Sequence, residues 1–177
     1  MVYFYFDFKD AEKQGQEKMI RSLILQLSSQ FESTSQILEA LHSSCMNGGR
    51  QPIPDMLLAT LHQMMKSFED TFIILDALDE CSERQELLED IEEFKHWTDV
   101  NLHILSTSRR EKDIEERIEH LAHNKGKIRI DSMHVNDDIR AYVQEKLQTD
   151  LKLKRWYKEP KVQQEIESAL MDKADGM

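Results

Sequence analysis

Four short apolar segments alternate with segments of helical periodicity along this 177-residue chain. The apolar segments are rich in aromatic and β-branched residues, which is typical of strands, and the segments between them repeat apolar residues at spacings of three and four. Strands that alternate with helices indicate an α/β domain with a mainly parallel sheet. We therefore predict a parallel sheet flanked by helices, with strands at about 2–6, 71–75, 100–105 and 127–131. The second strand is apolar on both faces, which predicts burial on both faces.

Helices are predicted between and after these strands. Ser82 is followed three residues later by Gln85, which forms a capping box and predicts a helix start. Asn136 is expected to cap a later helix in the same way. The predicted helices are Glu12–Gln30, Ser35–Ser44, one beginning at Pro54, one beginning after Ser82, Glu111–Ala122, one beginning after Asn136, and Pro160–Lys173.

The charge of the chain excludes several classes of protein. Asp and Glu number 34 against 23 Lys and Arg, which gives a net charge of −11. Such an acidic balance argues against a nucleic-acid binder and against attachment to anionic lipid. The longest apolar run, at 2–6, is far shorter than the ~18 residues that span a bilayer. Cys45 and Cys81 form no metal-binding pair, so a reducing, cytoplasmic location is the expectation.

The most informative segment places acidic side chains directly after a strand. Asp76 follows the apolar run Phe72–Leu75, and Asp79 and Glu80 come three and four residues later. In parallel sheets the ligand crevice lies at the carboxyl ends of the strands. An Asp there can orient Mg²⁺ through its water ligands, and Glu80 or Asp79 can polarise a water molecule for attack on a phosphate. This is the form of a Walker B motif; the alternative is a strand that ends in ordinary polar turn residues.

A second candidate residue, Arg109, follows the next predicted strand, 33 positions after Asp76. An arginine binds phosphate oxygens through its planar fork of donors and stays charged, so it suits a sensor of a terminal phosphate. The phosphate-binding loop that would complete such a site ends in Gly-Lys-Ser/Thr. The one Gly-Lys pair, Gly126-Lys127, is followed by Ile128 and lacks the preceding glycine. We therefore expect the first strand and the phosphate loop of this fold to be missing.

These segments together resemble a known family. The runs YFYFDFKDAEKQ, RSLILQL, FIILDALDEC, NLHILSTSRRE and KADGM resemble the NACHT-type P-loop NTPase module of filamentous fungi, also known as a nephrocystin-like N-terminal domain. The resemblance implies a signal-transducing NTPase of the STAND class, which binds ATP or GTP with Mg²⁺ and self-associates. It also implies that Asp76 matches the metal-binding acid, Asp79 and Glu80 the catalytic acids, and Arg109 the nucleotide sensor.

The resemblance gives the functional expectation and a domain division. Residues 1–135 would form a partial NTPase core and residues 136–177 helices that lead to a helical and winged-helix region. By the same resemblance the first three strands lie side by side, with the strand at 71–75 in the middle. The missing strand would lie between those at 100–105 and 127–131, which leaves a central gap, unpaired edges and exposed apolar surface. The leading hypothesis is a fragment of a nucleotide-dependent switch linked to programmed cell death, inactive in hydrolysis as it stands. The alternatives are a non-catalytic protein-interaction module and, less compatible with the positions of Asp7 and Lys127, a receiver-like phosphoacceptor domain.

Overall fold

The computed structural model describes residues 1–121, 126–128 and 132–174. The chain divides into two compact units, Met1–Asn124 and Lys125–Met177. The first unit contains a three-stranded parallel sheet in the order β1-β2-β3, flanked by helices, and the described part of the second unit is helical. The predicted α/β class and the adjacency of the first three strands are confirmed.

The bounds of the elements are as follows. The first unit comprises β1 (Val2–Tyr5), α1 (Gln16–Ser28), α2 (Glu32–Ser44), α3 (Pro54–Met65), β2 (Thr71–Asp76), α4 (Arg84–His96), β3 (Leu102–Ser106) and α5 (Lys112–Leu121), with short 3-10 turns at Ala11–Lys13 and Leu78–Glu80. The second unit comprises α6 (Ser132–Thr149), a 3-10 segment at Leu151–Trp156, and α7 (Pro160–Ala174).

One face of the sheet carries the hydrophobic core. Along β1 and β2 buried and exposed side chains alternate, so that Val2, Phe4, Ile73 and Leu75 point into the core. Apolar residues of α1, α3 and α4 complete this core, among them Leu23, Leu61, Met64 and Phe94. The methionines of α3 therefore pack in the core, as their helical spacing indicates.

The opposite face of the sheet is exposed. Tyr3, Tyr5, Phe72 and Leu105 each have between 46% and 60% of their surface accessible. The crossovers from β1 to β2 and from β2 to β3 step in the same direction, and right-handed crossovers then place their helices on the same face. The prediction that β2 is buried on both faces is therefore wrong.

Several predicted helix starts are also wrong. Glu83, and not Ser82, stands at the N-cap of α4, and the backbone N–H and side-chain hydroxyl of Ser82 both donate to the carbonyl of Gln14. Asn136 lies inside α6, which begins four residues earlier at Ser132. Helix α1 is shorter than predicted because Asp10 caps a separate 3-10 turn and Gly15 stands at the N-cap of the helix. Local spacing could not reveal these contacts.

The fourth predicted strand, at 127–131, falls mostly outside the described residues. Residues 127 and 128 have no regular secondary structure, and residues 129–131 are not among those described. In the second unit, Gln144 of α6 donates to Glu167 of α7, and Leu147 is buried. The predicted domain boundary, with a partial NTPase core at 1–135 and helices at 136–177 that lead to a further region, stays a prediction.

No helix in the described part of the chain is long and apolar enough to cross a membrane.

A buried carboxylate joins α1 to α4. Asp90 of α4 is 7% exposed and accepts a hydrogen bond from the side-chain amide of Gln16. Burial raises the pKa of Asp90 to about 6, and the nearby acids of α4 act in the same direction. The folded state therefore binds a proton at this position more tightly than the unfolded chain does.

Replacing Asp90 with asparagine should stabilise the fold by about 2 kcal/mol at a pH of about 7.5. Asparagine keeps an acceptor for Gln16 but carries no charge, whereas ionised Asp90 costs stability above its folded pKa. This cost falls as the pH drops from about 6 towards 4, so the advantage of the variant should shrink over that range. Urea unfolding of both proteins at pH values of about 7.5 and about 4 measures the difference in their free energies of unfolding. A difference that does not change with pH would contradict the burial argument.

Candidate functional site

The carboxyl ends of β2 and β3 are joined through Thr107, the residue that follows β3. Its hydroxyl donates to Oδ1 of Asp76 and accepts a hydrogen bond from the backbone N–H of Ala77 at 3.0 Å. Its backbone N–H donates to the carbonyl of Leu75 at 2.9 Å, and its carbonyl accepts from the N–H of Leu78 at 3.0 Å. Thr107 therefore fixes the position of Asp76 at the strand tip.

The backbone turns sharply after Asp76. Ala77 has a φ of 57°, in the left-handed region that non-glycine residues rarely occupy. This conformation directs the chain into the 3-10 turn Leu78–Glu80, where the N–H of Glu80 donates to the carbonyl of Ala77 at 2.9 Å. The side chain of Leu78 is buried and anchors the turn. Strained backbone of this kind is concentrated at functional sites.

Asp79 and Glu80 meet Arg109 at this end of the sheet. The backbone N–H of Arg109 donates to Oδ1 of Asp79 at 2.9 Å, and the hydroxyl of Ser108 donates to the same oxygen at 3.3 Å. The guanidinium lies 3.7 Å from Oδ2 of Asp79 and 3.8 Å from Oε1 of Glu80. The Arg109 side chain is 74% exposed, whereas the Asp79 side chain is 8% exposed. Both distances are too long for a hydrogen bond, so the arginine side chain can leave these acids at small cost while its backbone N–H stays bonded to Asp79.

The acidic loop is also bound to the segment after β1. Oε2 of Glu80 accepts from the backbone N–H of Phe8 at 3.0 Å. Oε2 of Glu83 accepts from the N–H of Gln16 at 2.9 Å, which satisfies a free donor at the start of α1. The carboxylates that follow β2 therefore also hold two segments of the fold together.

The structure places Asp79, Glu80 and Arg109 in direct contact and links Asp76 to the same loop through Thr107. The acids do not converge on a shared point: in the described part of the chain, no three His, Cys, Asp or Glu side chains are arranged to hold a metal ion. Asp76 is the residue best placed to bind an ion through water, since of its two carboxylate oxygens only Oδ1 has a protein partner among the described residues. The metal-binding, catalytic and sensor roles stay predictions.

Two contributors to this site were missed from the sequence. Thr107 is a hydroxyl residue directly after a strand, and that position is a signal that could have singled it out. The contact of Glu80 with Phe8 spans 72 positions, so no local pattern reveals it. Cys81 beside the site is no nucleophile, because burial raises the pKa of its thiol to about 11 and keeps it protonated.

Comparison with known families gives one result. A family model described as Nephrocystin 3, N-terminal, matches residues 1–109. The chain belongs to the nephrocystin 3 N-terminal family. The match spans β1, β2 and β3 and ends at Arg109, so all four predicted site residues lie within the family's region. No curated protein and no solved structure matches the chain.

Proposed function

We propose that this chain is the metal-binding and phosphate-sensing part of a NACHT-type, nucleotide-dependent signalling switch of the STAND class. The observation that carries the proposal is the contact of Arg109 with Asp79 and Glu80 at the carboxyl ends of β2 and β3. An exposed arginine held loosely by acids can exchange them for the oxygens of a phosphate. ATP or GTP would be the ligand, together with Mg²⁺.

Each residue then has a distinct role. Asp76, fixed by Thr107, orients the Mg²⁺ ion through its water ligands. Glu80, or Asp79, positions the attacking water, and Arg109 contacts the γ-phosphate. The resemblance to fungal NACHT modules adds a cytoplasmic location, self-association on nucleotide exchange, and a role in programmed cell death to the proposal.

The 177 residues contain no Gly-Lys-Ser/Thr loop to cradle the phosphates. Phosphoryl transfer depends mainly on positioning and charge neutralisation, and the loop supplies much of both. Mg²⁺ also relies on substrate phosphates as ligands, so Asp76 alone holds it weakly. We therefore expect no hydrolysis of ATP or GTP by this chain as it stands.

A second candidate function is a non-catalytic protein-interaction module. The observation that favours it is the use of the acids within the fold, since Glu80 is bonded to the backbone of Phe8 and Glu83 to that of Gln16. Under this hypothesis the acidic loop is a structural joint, and nucleotide has no effect on the protein.

The two functions are separated by extending the chain at its N-terminus with a strand and a Gly-x-x-x-x-Gly-Lys-Ser/Thr loop, read from the coding sequence upstream of Met1 where it encodes them. A switch should then bind Mg-ATP or Mg-GTP, and Asp76→Ala should weaken the Mg²⁺-dependent part of the affinity at least about tenfold. The control Asp90→Asn changes a carboxylate that bonds to Gln16 and contacts neither Asp76 nor Arg109 in the described structure, so it should leave binding unchanged. Failure of the extended protein to bind either nucleotide would favour the interaction module. Nucleotide binding that Asp76→Ala leaves unchanged would contradict the metal-binding role of Asp76.

A further inference from the structure

The second unit contains a cluster of positive charge that the net charge of the chain conceals. In Lys125–Met177 acidic and basic side chains are almost equal in number, so the excess of acids lies in Met1–Asn124. Between positions 150 and 161 five cations accompany two acids, Asp150 and Glu159. Salt screens charges that lie more than about 10 Å apart, so a local cluster can attract anions although the chain is acidic. We call these cations the basic patch: Lys152, Lys154, Arg155, Lys158 and Lys161.

The 3-10 segment Leu151–Trp156 turns its part of the basic patch outwards. Residues three positions apart lie on the same side of a 3-10 helix. Leu153 and Trp156 share one side, and both are half-buried. The other two sides are exposed and carry Leu151, Lys152, Lys154 and Arg155. Lys158 and Lys161, which follow the segment, are exposed as well. The fold therefore presents the five cations to solvent.

The charge of the basic patch is not neutralised by any described carboxylate. Among the described residues, none of its five cations forms an ion pair. Acids of the same unit are engaged elsewhere: Asp150 accepts a hydrogen bond from the backbone N–H of Lys152 at 2.9 Å, and Glu167 of α7 lies 3.4 Å from the guanidinium of Arg140 on α6. The patch is therefore free to bind an anionic partner.

We propose that the basic patch, together with Leu151, binds the surface of a membrane that contains anionic phospholipids. The cations contact the lipid headgroups, and the side chain of Leu151, which is 80% exposed, enters the boundary between headgroups and acyl chains. A cluster of this many Lys and Arg side chains is typical of anionic-lipid recognition. The net charge of −11 led to the opposite expectation because it averages the charge over both units. Binding of this kind lies along the membrane surface and requires no nucleotide.

Leu151 and Trp156 favour lipid over nucleic acid as the partner. Proteins that bind single-stranded nucleic acid stack its bases on exposed aromatic rings. Trp156 is half-buried, and the guanidinium of Arg155 lies 4.7 Å from the centroid of its ring, so this ring is not free to stack on a base. Phosphate groups gain no contact from an exposed leucine, whereas the interfacial region of a bilayer buries one.

Sedimentation of the 177-residue chain with vesicles tests the proposal. The chain should bind phosphatidylcholine vesicles that contain about 30% phosphatidylserine at least about tenfold more tightly than vesicles of phosphatidylcholine alone. Lys154→Glu should weaken binding to the anionic vesicles at least about fivefold, because each basic side chain near the surface adds to the attraction. Lys112→Glu on α5 makes the same charge change outside the patch, at a side chain that is 90% exposed, and should leave binding unchanged.

Leu151→Ser tests the apolar contact separately, because it shortens an exposed side chain without changing the charge. It should weaken binding to the anionic vesicles at least about threefold. Circular dichroism checks that each variant keeps the fold.

Three outcomes would overturn the proposal. Absence of binding to the vesicles with phosphatidylserine would mean that the basic patch has no affinity for anionic lipid. Equal weakening by Lys154→Glu and Lys112→Glu would mean that the attraction depends on overall charge and not on the patch. Unchanged binding of Leu151→Ser would mean that the patch recognises negative charge alone, as on a nucleic acid or an acidic protein.

Discussion

Replacing Ile73 with alanine should lower the free energy of unfolding by about 3–4 kcal/mol, whereas the same replacement at Ile74 should lower it by only about 1 kcal/mol. Ile73 is fully buried at the centre of the packed face, and its loss leaves a cavity between the sheet and the helices. Ile74 points to the exposed face and is half-buried. Urea unfolding followed by circular dichroism measures both values.

Ile74→Ala is the matched control because both residues lie on β2, so the loss of strand propensity is common to the two variants. Equal losses would show that the apolar face carrying Tyr3, Phe72 and Leu105 is covered in solution. That result would contradict the one-sided core.

In the N-terminally extended protein, Glu80→Gln should slow nucleotide hydrolysis at least about 100-fold and leave the affinity for Mg-ATP within about twofold. Glutamine keeps an acceptor for the N–H of Phe8, so the loop stays in place. It cannot accept a proton from water, so the catalytic step alone is lost. Single-turnover hydrolysis and calorimetric binding, measured side by side, separate the two effects.

Glu83→Gln is the control for this variant, because Glu83 holds the start of α1 and lies outside the contact with Arg109. It should keep hydrolysis near the parent rate. Equal loss of hydrolysis in the two variants would show that the loop acts as a unit and that Glu80 has no special role. Loss of binding in Glu80→Gln would assign that residue to the ligand and not to the water.

The sequence predicted the parts of the fold that depend on long apolar patterns. The segment Phe72–Leu75 and the periodic helix from Pro54 are unambiguous, because burial of so many apolar side chains dominates local preferences. The ends of the first three strands followed from the same patterns to within one residue, and with them the meeting of Asp79, Glu80 and Arg109. Which face of β2 is buried did not follow, because an all-apolar strand gives no alternation to read.

Contacts between distant segments account for the other errors. Ser82 has the spacing of a capping box, yet Gln14 takes its hydrogen bonds because the loop after β1 passes beside it. Thr107 fixes Asp76 from the neighbouring strand, and this depends on the register of the sheet. Local sequence determines preferences, while the parallel register decides which side chains meet.

Calorimetric titration with Mg-ATP and Mg-GTP most directly tests the proposal that the acids and Arg109 form only part of a nucleotide site. For the 177-residue chain we expect a dissociation constant no tighter than about 1 mM, or about −4 kcal/mol, because the acids and Arg109 lack a phosphate cradle. The extended protein should bind in the micromolar range under the same conditions. Micromolar binding by the 177 residues alone would contradict this proposal and reveal a complete nucleotide site within the chain.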